Sequence, residues 1–207
     1  MAKVFKIYPS NPQENLIDEI VRTLDKGGLV IYPSDTVYAL GCSIFNLKAM
    51  ERLAQIKGVR LEKSHFSIIC NDLSHLSFYT KPISNSTFRS LKYYLPGPYT
   101  FVLEANRTLP LAYKGHKTVG IRVPDHPIPQ MIVSKLGHPI ASTSIRDDDD
   151  VVEYSTDPEL IAEKYDRLVD IVINSGYGGN KASTIIDFTQ SPPVVIREGK
   201  GEFLEGF

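Results

Sequence analysis

Two arginines stand inside runs that otherwise read as β-strands: Arg122 in VGIRVP and Arg197 in VVIREG. A guanidinium among valines and isoleucines needs an anion, and an aspartate of the same chain serves as well as a bound ligand. Hydroxyls gather at other strand ends. Ser142, Thr143 and Ser144 precede Arg146 in PIASTSIR, and Ser183 and Thr184 open STIID. Lys57 and Arg60 finish a helix-like stretch, with Lys63 soon after, and YPSDTVYALGC places Ser34, Asp35 and Thr36 at the mouth of a strand. Each group has a plain role: hydroxyls satisfy local backbone groups, and Lys57 complements a helix C-terminus. Together, cations and hydroxyls suit an anionic ligand and chemistry done by positioning and charge.

Familiar sites are absent. SGYGGNKAST looks like a phosphate loop, but Asn180 precedes Lys181 where that motif needs glycine, and the spacing differs. No GxGxxG joins a strand to a helix, and no HExxH or paired cysteines occur. Cys42 and Cys70 lie far apart without ligand companions, and read as reduced thiols of a cytoplasmic protein. The run Asp147–Asp150 reads as a solvated loop, so no metal site is placed there.

The elements that must position these residues alternate along the chain. KVFKIY, LVIYP, HFSIIC, YTFVLEA, TVGIRVP, PIASTS, VDIVINSG, STIIDF and PVVIREG read as strands. Leu16, Ile17, Ile20, Val21 and Leu24 recur at helical spacing between Pro12 and Gly27, as do Met50, Leu53, Ala54 and Ile56 before Gly58. SNSTFRSLKYYL, HPIPQMIVSKLG and DPELIAEKY are further helices. With 207 residues and no linker-like stretch, the expectation is a single α/β domain over 1–207 with a mixed sheet. A net charge of −1 confines any anion site to a local cluster. No apolar run reaches the roughly 18 residues of a membrane span, and MAKVFKIYPSNPQ lacks the long apolar stretch expected of a secretion signal.

In order, PSDTVYALG, PGPYTFVL, VGIRVPDHP, STSIR, ASTIID and VIREG resemble the successive motifs of the YrdC/YciO family, with PGPYTF and REGKG similar to its YciO branch. The resemblance covers nearly the whole chain. It implies a twisted mixed sheet curved around a concave basic cavity. It also implies an L-threonylcarbamoyladenylate synthase, a nucleotidyltransferase making threonylcarbamoyl-AMP and pyrophosphate from threonine, bicarbonate and ATP with Mg²⁺. A threonylcarbamoyl-transferase partner then modifies tRNA. The alternative the resemblance implies is a non-catalytic protein that binds double-stranded RNA or a nucleotide.

By the same resemblance, Thr36, Arg122, Ser144 and Ser183 would hold threonine. Lys57, Arg60, Ser144, Arg146 and Arg197 would surround ATP, with Lys57 and Arg60 catalytic. Asp35 would pin the turn or meet the amino acid's ammonium. Two motifs depart from the family pattern: Lys-x-Arg is here Lys57-Gly58-Val59-Arg60, and Ser-x-Asn is Ser144-Ile145-Arg146. Ala39 also stands in place of a glycine.

Overall fold

The computed structural model describes residues 1–74, 76–145 and 153–204. Ten strands form one open, mixed sheet: β1 (Lys3–Lys6), β2 (Val30–Tyr32), β3 (Ala39–Ser43), β4 (Ser67–Ile69), β5 (Tyr99–Glu104), β6 (Thr118–Arg122), β7 (Ile140–Ser144), β8 (Ile171–Asn174), β9 (Thr184–Asp187) and β10 (Val194–Arg197). Their order is β1-β8-β2-β3-β7-β4-β6-β5-β9-β10. Parallel pairs (β1 with β8, β2 with β8, β4 with β6, β5 with β9) are interspersed with antiparallel ones. The helices are α1 (Glu14–Asp25), α2 (Leu47–Ile56), α3 (Leu76–Tyr79), α4 (Asn85–Tyr94), α5 (Pro127–Leu136), α6 (Glu153–Thr156) and α7 (Pro158–Tyr165). None of the described helices is long and apolar enough to cross a membrane.

The long helices start and stop where local chemistry directs. Asn46 accepts from the Ala49 amide at the N-terminus of α2, and Ser84 accepts from Thr87 at that of α4. Gly137 ends α5 with φ 75°, a left-handed conformation that a side chain would strain. Ile17, Ile20 and Leu24 line the buried stripe of α1.

Residue parity divides the sheet into two unlike faces. On one, Ile31, Leu40, Phe101, Ile121 and Ala141 pack with Met50 and Leu53 of α2, Leu91 of α4 and Ile161 of α7. On the other, α1 and α5 cover Val30, Tyr32, Ala39, Ile140 and Ile171. Lys135 of α5 joins Asp18 of α1 there at 2.7 Å. That second helical layer stops short. Along β7 the same face passes from Ile140, under the helices, to Ser142 and Ser144, which border open space. Along β4 it passes likewise from Ile69 to Ser67. The uncovered half of this face is the cavity described below.

One strand escapes a reading by propensity. β3, ALGCS, consists mostly of small residues, which strands disfavour, yet it joins β2 to β7 at the centre of the sheet. At Gly41 the small residue follows from crowding. A Cβ on Gly41 would lie 2.8 Å from the Ala141 carbonyl oxygen and 3.1 Å from the Tyr32 ring. The run Asp147–Asp150, expected as a solvated loop, lies outside the described residues.

Candidate functional site

A cavity of about 520 Å³ occupies the uncovered half of the sheet. Its floor is set by alternation. Thr118, Gly120 and Arg122 of β6 face it while Ile121 packs in the core, and Thr100 and Val102 of β5 face it while Phe101 and Leu103 do not. Ser142 of β7 pairs with Ser67 of β4, and Val102 of β5 with Gly120 of β6, so neighbouring strands bring their cavity-facing residues side by side. A Cβ on Gly120 would come within 3.2 Å of both Ser67 Cβ and Thr100 Cγ2, so glycine there deepens the floor.

Arg122, 7% exposed, anchors one end. Its Nη2 donates to the Asp35 carboxylate, to Thr36 Oγ1 at 2.6 Å and to Ser34 Oγ at 3.4 Å. The turn is braced internally too, since Ser34 Oγ donates to the Val37 carbonyl at 2.7 Å and accepts from the Thr36 amide at 3.2 Å. Thr36 and Arg122 line the cavity; Asp35 is not part of its wall. Of the two roles open for Asp35, the geometry shows the pinning one.

The glycines of SGYGGNK serve this turn. A Cβ on Gly179 would stand 2.1 Å from the Thr36 carbonyl oxygen, and one on Gly178 would stand 2.6 Å from the Tyr38 ring. Tyr38 completes the contact, its hydroxyl donating to the Gly176 carbonyl at 2.7 Å and accepting from the Ser175 amide at 3.0 Å. The motif that imitates a phosphate loop therefore lets the β8–β9 connection pass closely over the PSDT turn.

The opposite wall comes from the chain's end. Ser183 Oγ lies 2.9 Å from Thr100 Oγ1. Arg197 donates through Nη2 and Nε to the Ser183 carbonyl at 2.8 and 3.2 Å. The segment after β10 folds back along the Ala182–Thr184 stretch, where a Cβ on Gly199 would meet the Ser183 carbonyl carbon at 2.3 Å. Lys200 Nζ then crosses to donate to the Asp35 carbonyl at 2.6 Å.

Of the residues expected from sequence, Thr36, Arg122, Ser144, Ser183 and Arg197 share this cavity. Lys57, at the C-terminus of α2, reaches its edge, with Nζ donating to the Ser144 carbonyl at 3.1 Å. Arg60 is exposed, precedes the 3₁₀ turn Leu61–Lys63 and is not part of the wall. Arg146 lies outside the described residues.

Other lining groups passed unnoticed in the sequence: His65, Ser67, Thr100, His116, Thr118 and Asp187, whereas Ser142 and Thr143 belong to the hydroxyl cluster noted there. For Thr118 and Thr100 the signal was present as alternation with apolar neighbours; the two histidines had none. Their rings face one another at 6.2 Å. Burial, then the neighbouring His65, lowers the His116 pKa, so its imidazole stays neutral near pH 7. Burial raises Asp187, but hydrogen bonds from Thr189 and Gln190 outweigh it and hold the carboxyl below its usual value. Beneath the floor, Tyr32 and Ser142 share a 2.5 Å hydrogen bond, and burial pushes the Tyr32 phenol up to about 12. Burial likewise pushes the free thiols of Cys42 and Cys70 up to about 12, which leaves them unreactive.

An open mixed sheet with hydroxyls, a buried arginine and a closing strap on one face matches a known family. The Sua5/YciO/YrdC family model, described as "Telomere recombination", matches residues 22–199, and the chain belongs to that family. Within it, the chain is 42% identical to the uncharacterised protein YciO of Escherichia coli strain K12, over 98% of both chains, and the E. coli YciO crystal structure superposes with a TM-score of 0.88. A threonylcarbamoyl-AMP synthase of Coxiella burnetii strain RSA 493 is 30% identical, covering 91% of this chain and 95% of its own. The crystal structure of P. abyssi Sua5 complexed with L-threonine superposes with a TM-score of 0.83 at 28% identity, covering 95% of this chain and 57% of that one.

Proposed function

We propose that the cavity binds L-threonine, bicarbonate and ATP and forms threonylcarbamoyl-AMP with release of pyrophosphate, for the threonylcarbamoylation of tRNA in the cytoplasm. One observation carries the reading: Thr36, Arg122, Ser144 and Ser183, from four separate segments, line a single cavity, in a fold shared with a Sua5 that binds L-threonine. A guanidinium held by its Nη2 in the PSDT turn suits a planar carboxylate. The threonine amine condenses with bicarbonate to a carbamate and water; a carbamate oxygen then attacks the α-phosphorus, and pyrophosphate leaves. The protein's part is to position the reactants and stabilise charge, so no enzymic nucleophile is required.

Arg197 and Lys57 border the cavity where a triphosphate would lie. Charge-assisted hydrogen bonds of about 1.5–3 kcal/mol each make three or four such contacts enough for a micromolar to millimolar ligand. Among the described residues no three metal-ligating side chains converge, so Mg²⁺ would arrive with the triphosphate, held by its oxygens.

The test is pyrophosphate release by purified protein with Mg²⁺. Release that requires threonine, bicarbonate and ATP together supports the reading; background release ends it. A second reading, nucleotide or double-stranded RNA binding without turnover, is favoured by one observation: Arg60, displaced by one residue in the motif, stands outside the cavity wall. An Arg146→Asn variant separates the two. It gains pyrophosphate release if Arg146 alone limits the synthase, and it gains none if the protein only binds.

A further inference from the structure

The Arg122–Asp35 pair is built asymmetrically. Its side chains are 9% and 8% exposed, yet only Arg122 belongs to the cavity wall. A single nitrogen, Nη2, serves Asp35, Thr36 and Ser34. Arg122 Nε and Asp35 Oδ2 are buried without a hydrogen-bond partner, so the pair is single-pronged. Lys200 grips the backbone carbonyl of the same aspartate and holds it in place.

An uncompensated guanidinium in a wall of hydroxyls would draw any small anion. A carboxylate set behind it cancels much of its charge at a distance, while the donors of its outer edge stay available. A ligand bearing only a carboxylate then feels both the attraction of Arg122 and the repulsion of Asp35. A ligand with an ammonium on the next carbon recovers that second contribution as attraction.

We infer that Asp35 is a positioning and selectivity residue: by aiming Arg122 and balancing its charge, it makes the cavity favour a zwitterionic amino acid over simple anions. The inference rests on the proposed function for its choice of amino acid. It adds that the discrimination originates in a residue the ligand does not touch.

Calorimetric titration of wild type and Asp35→Asn tests it, with L-threonine, 3-hydroxybutyrate (the same skeleton without the amine) and inorganic phosphate as probes. The variant should bind 3-hydroxybutyrate and phosphate about three- to tenfold more tightly, with threonine unchanged or weaker. Asp35→Glu, which keeps the charge, should retain the wild-type threonine to 3-hydroxybutyrate ratio. If Asp35 only braces the turn, the near-isosteric Asn leaves that ratio unchanged, and an unchanged ratio overturns the inference. So does a ratio lost equally in the Glu variant. Should the Asn variant fail to fold, Asp35→Ser takes its place: a ratio shifted toward 3-hydroxybutyrate supports the inference, and an unshifted one overturns it.

If wild type binds neither threonine nor 3-hydroxybutyrate, the proposed function fails and the inferred preference for an amino acid is overturned with it. No binding of any probe to either protein overturns both.

Discussion

Lys57 Nζ donates to the carbonyl of Ser144 at 3.1 Å, joining the end of α2 to the end of β7 across 87 residues of sequence. The ammonium thereby comes to the edge of the cavity. Lys57→Ala should lower threonine-dependent pyrophosphate release by about tenfold or more, the effect of removing one stabilising donor. Threonine affinity, measured by calorimetry, should change less than about twofold, well under the worth of one charge-assisted hydrogen bond.

Arg122→Ala leaves Asp35 buried without its cation. Breaking a buried pair from one side costs about 3–5 kcal/mol, so urea denaturation should show a loss of that order. Threonine binding should vanish. Arg122→Lys should recover part of the stability and little of the binding, because an ammonium cannot serve the turn and a planar carboxylate at once.

Gly179→Ala tests the close passage over the PSDT turn. Its new methyl would meet the Thr36 carbonyl oxygen at 2.1 Å, so turn or loop must move. The expected cost is about 1–3 kcal/mol by thermal or chemical unfolding, with threonine affinity weakened as Thr36 shifts. A Cβ at the Gly58 position meets nothing within 4 Å, but φ +66° strains any side chain there; Gly58→Ala should lower stability and leave threonine affinity intact.

Gly120→Ala raises the cavity floor between Ser67 and Thr100. The methyl projects into space a ligand would use, so ligand affinity should fall more than stability does. Titration of threonine and ATP against a melting curve of the same variant checks this.

Acid should weaken the fold. Burial, ahead of other influences, lowers the pKa of His116 and of His126 in the native state, although Asp35 and Asp125 partly oppose it at His126. The unfolded chain, with histidines near about 6.5, then binds more protons than the native one as pH falls through that value. Stability is therefore fully present above that pH and declines below it. Tm should drop between about pH 7 and pH 5, and His116→Gln should flatten part of that decline.

The strands and helices were largely legible because their signals are local. Val119 and Ile121 alternate with Thr118, Gly120 and Arg122, and Ile17, Ile20 and Leu24 recur on one helical stripe. β3 was not legible, because its Gly41 is small for the sake of Tyr32 and β7, which lie elsewhere in the chain.

By itself, the order of residues along the chain determined which side of each strand would be polar, and so that a hydroxyl-rich surface with arginines would exist. It could not say which anion answers Arg122, that Lys57 turns to a carbonyl while Arg60 stays outside the wall, or that His65 and His116 face one another at 6.2 Å. Those outcomes depend on β4 lying between β7 and β6, and on β9 joining β5 from the far end of the chain. Alternation is a property of neighbours a residue or two apart. Convergence is decided by strand order and by where the helical layer ends, which only the packed sheet determines.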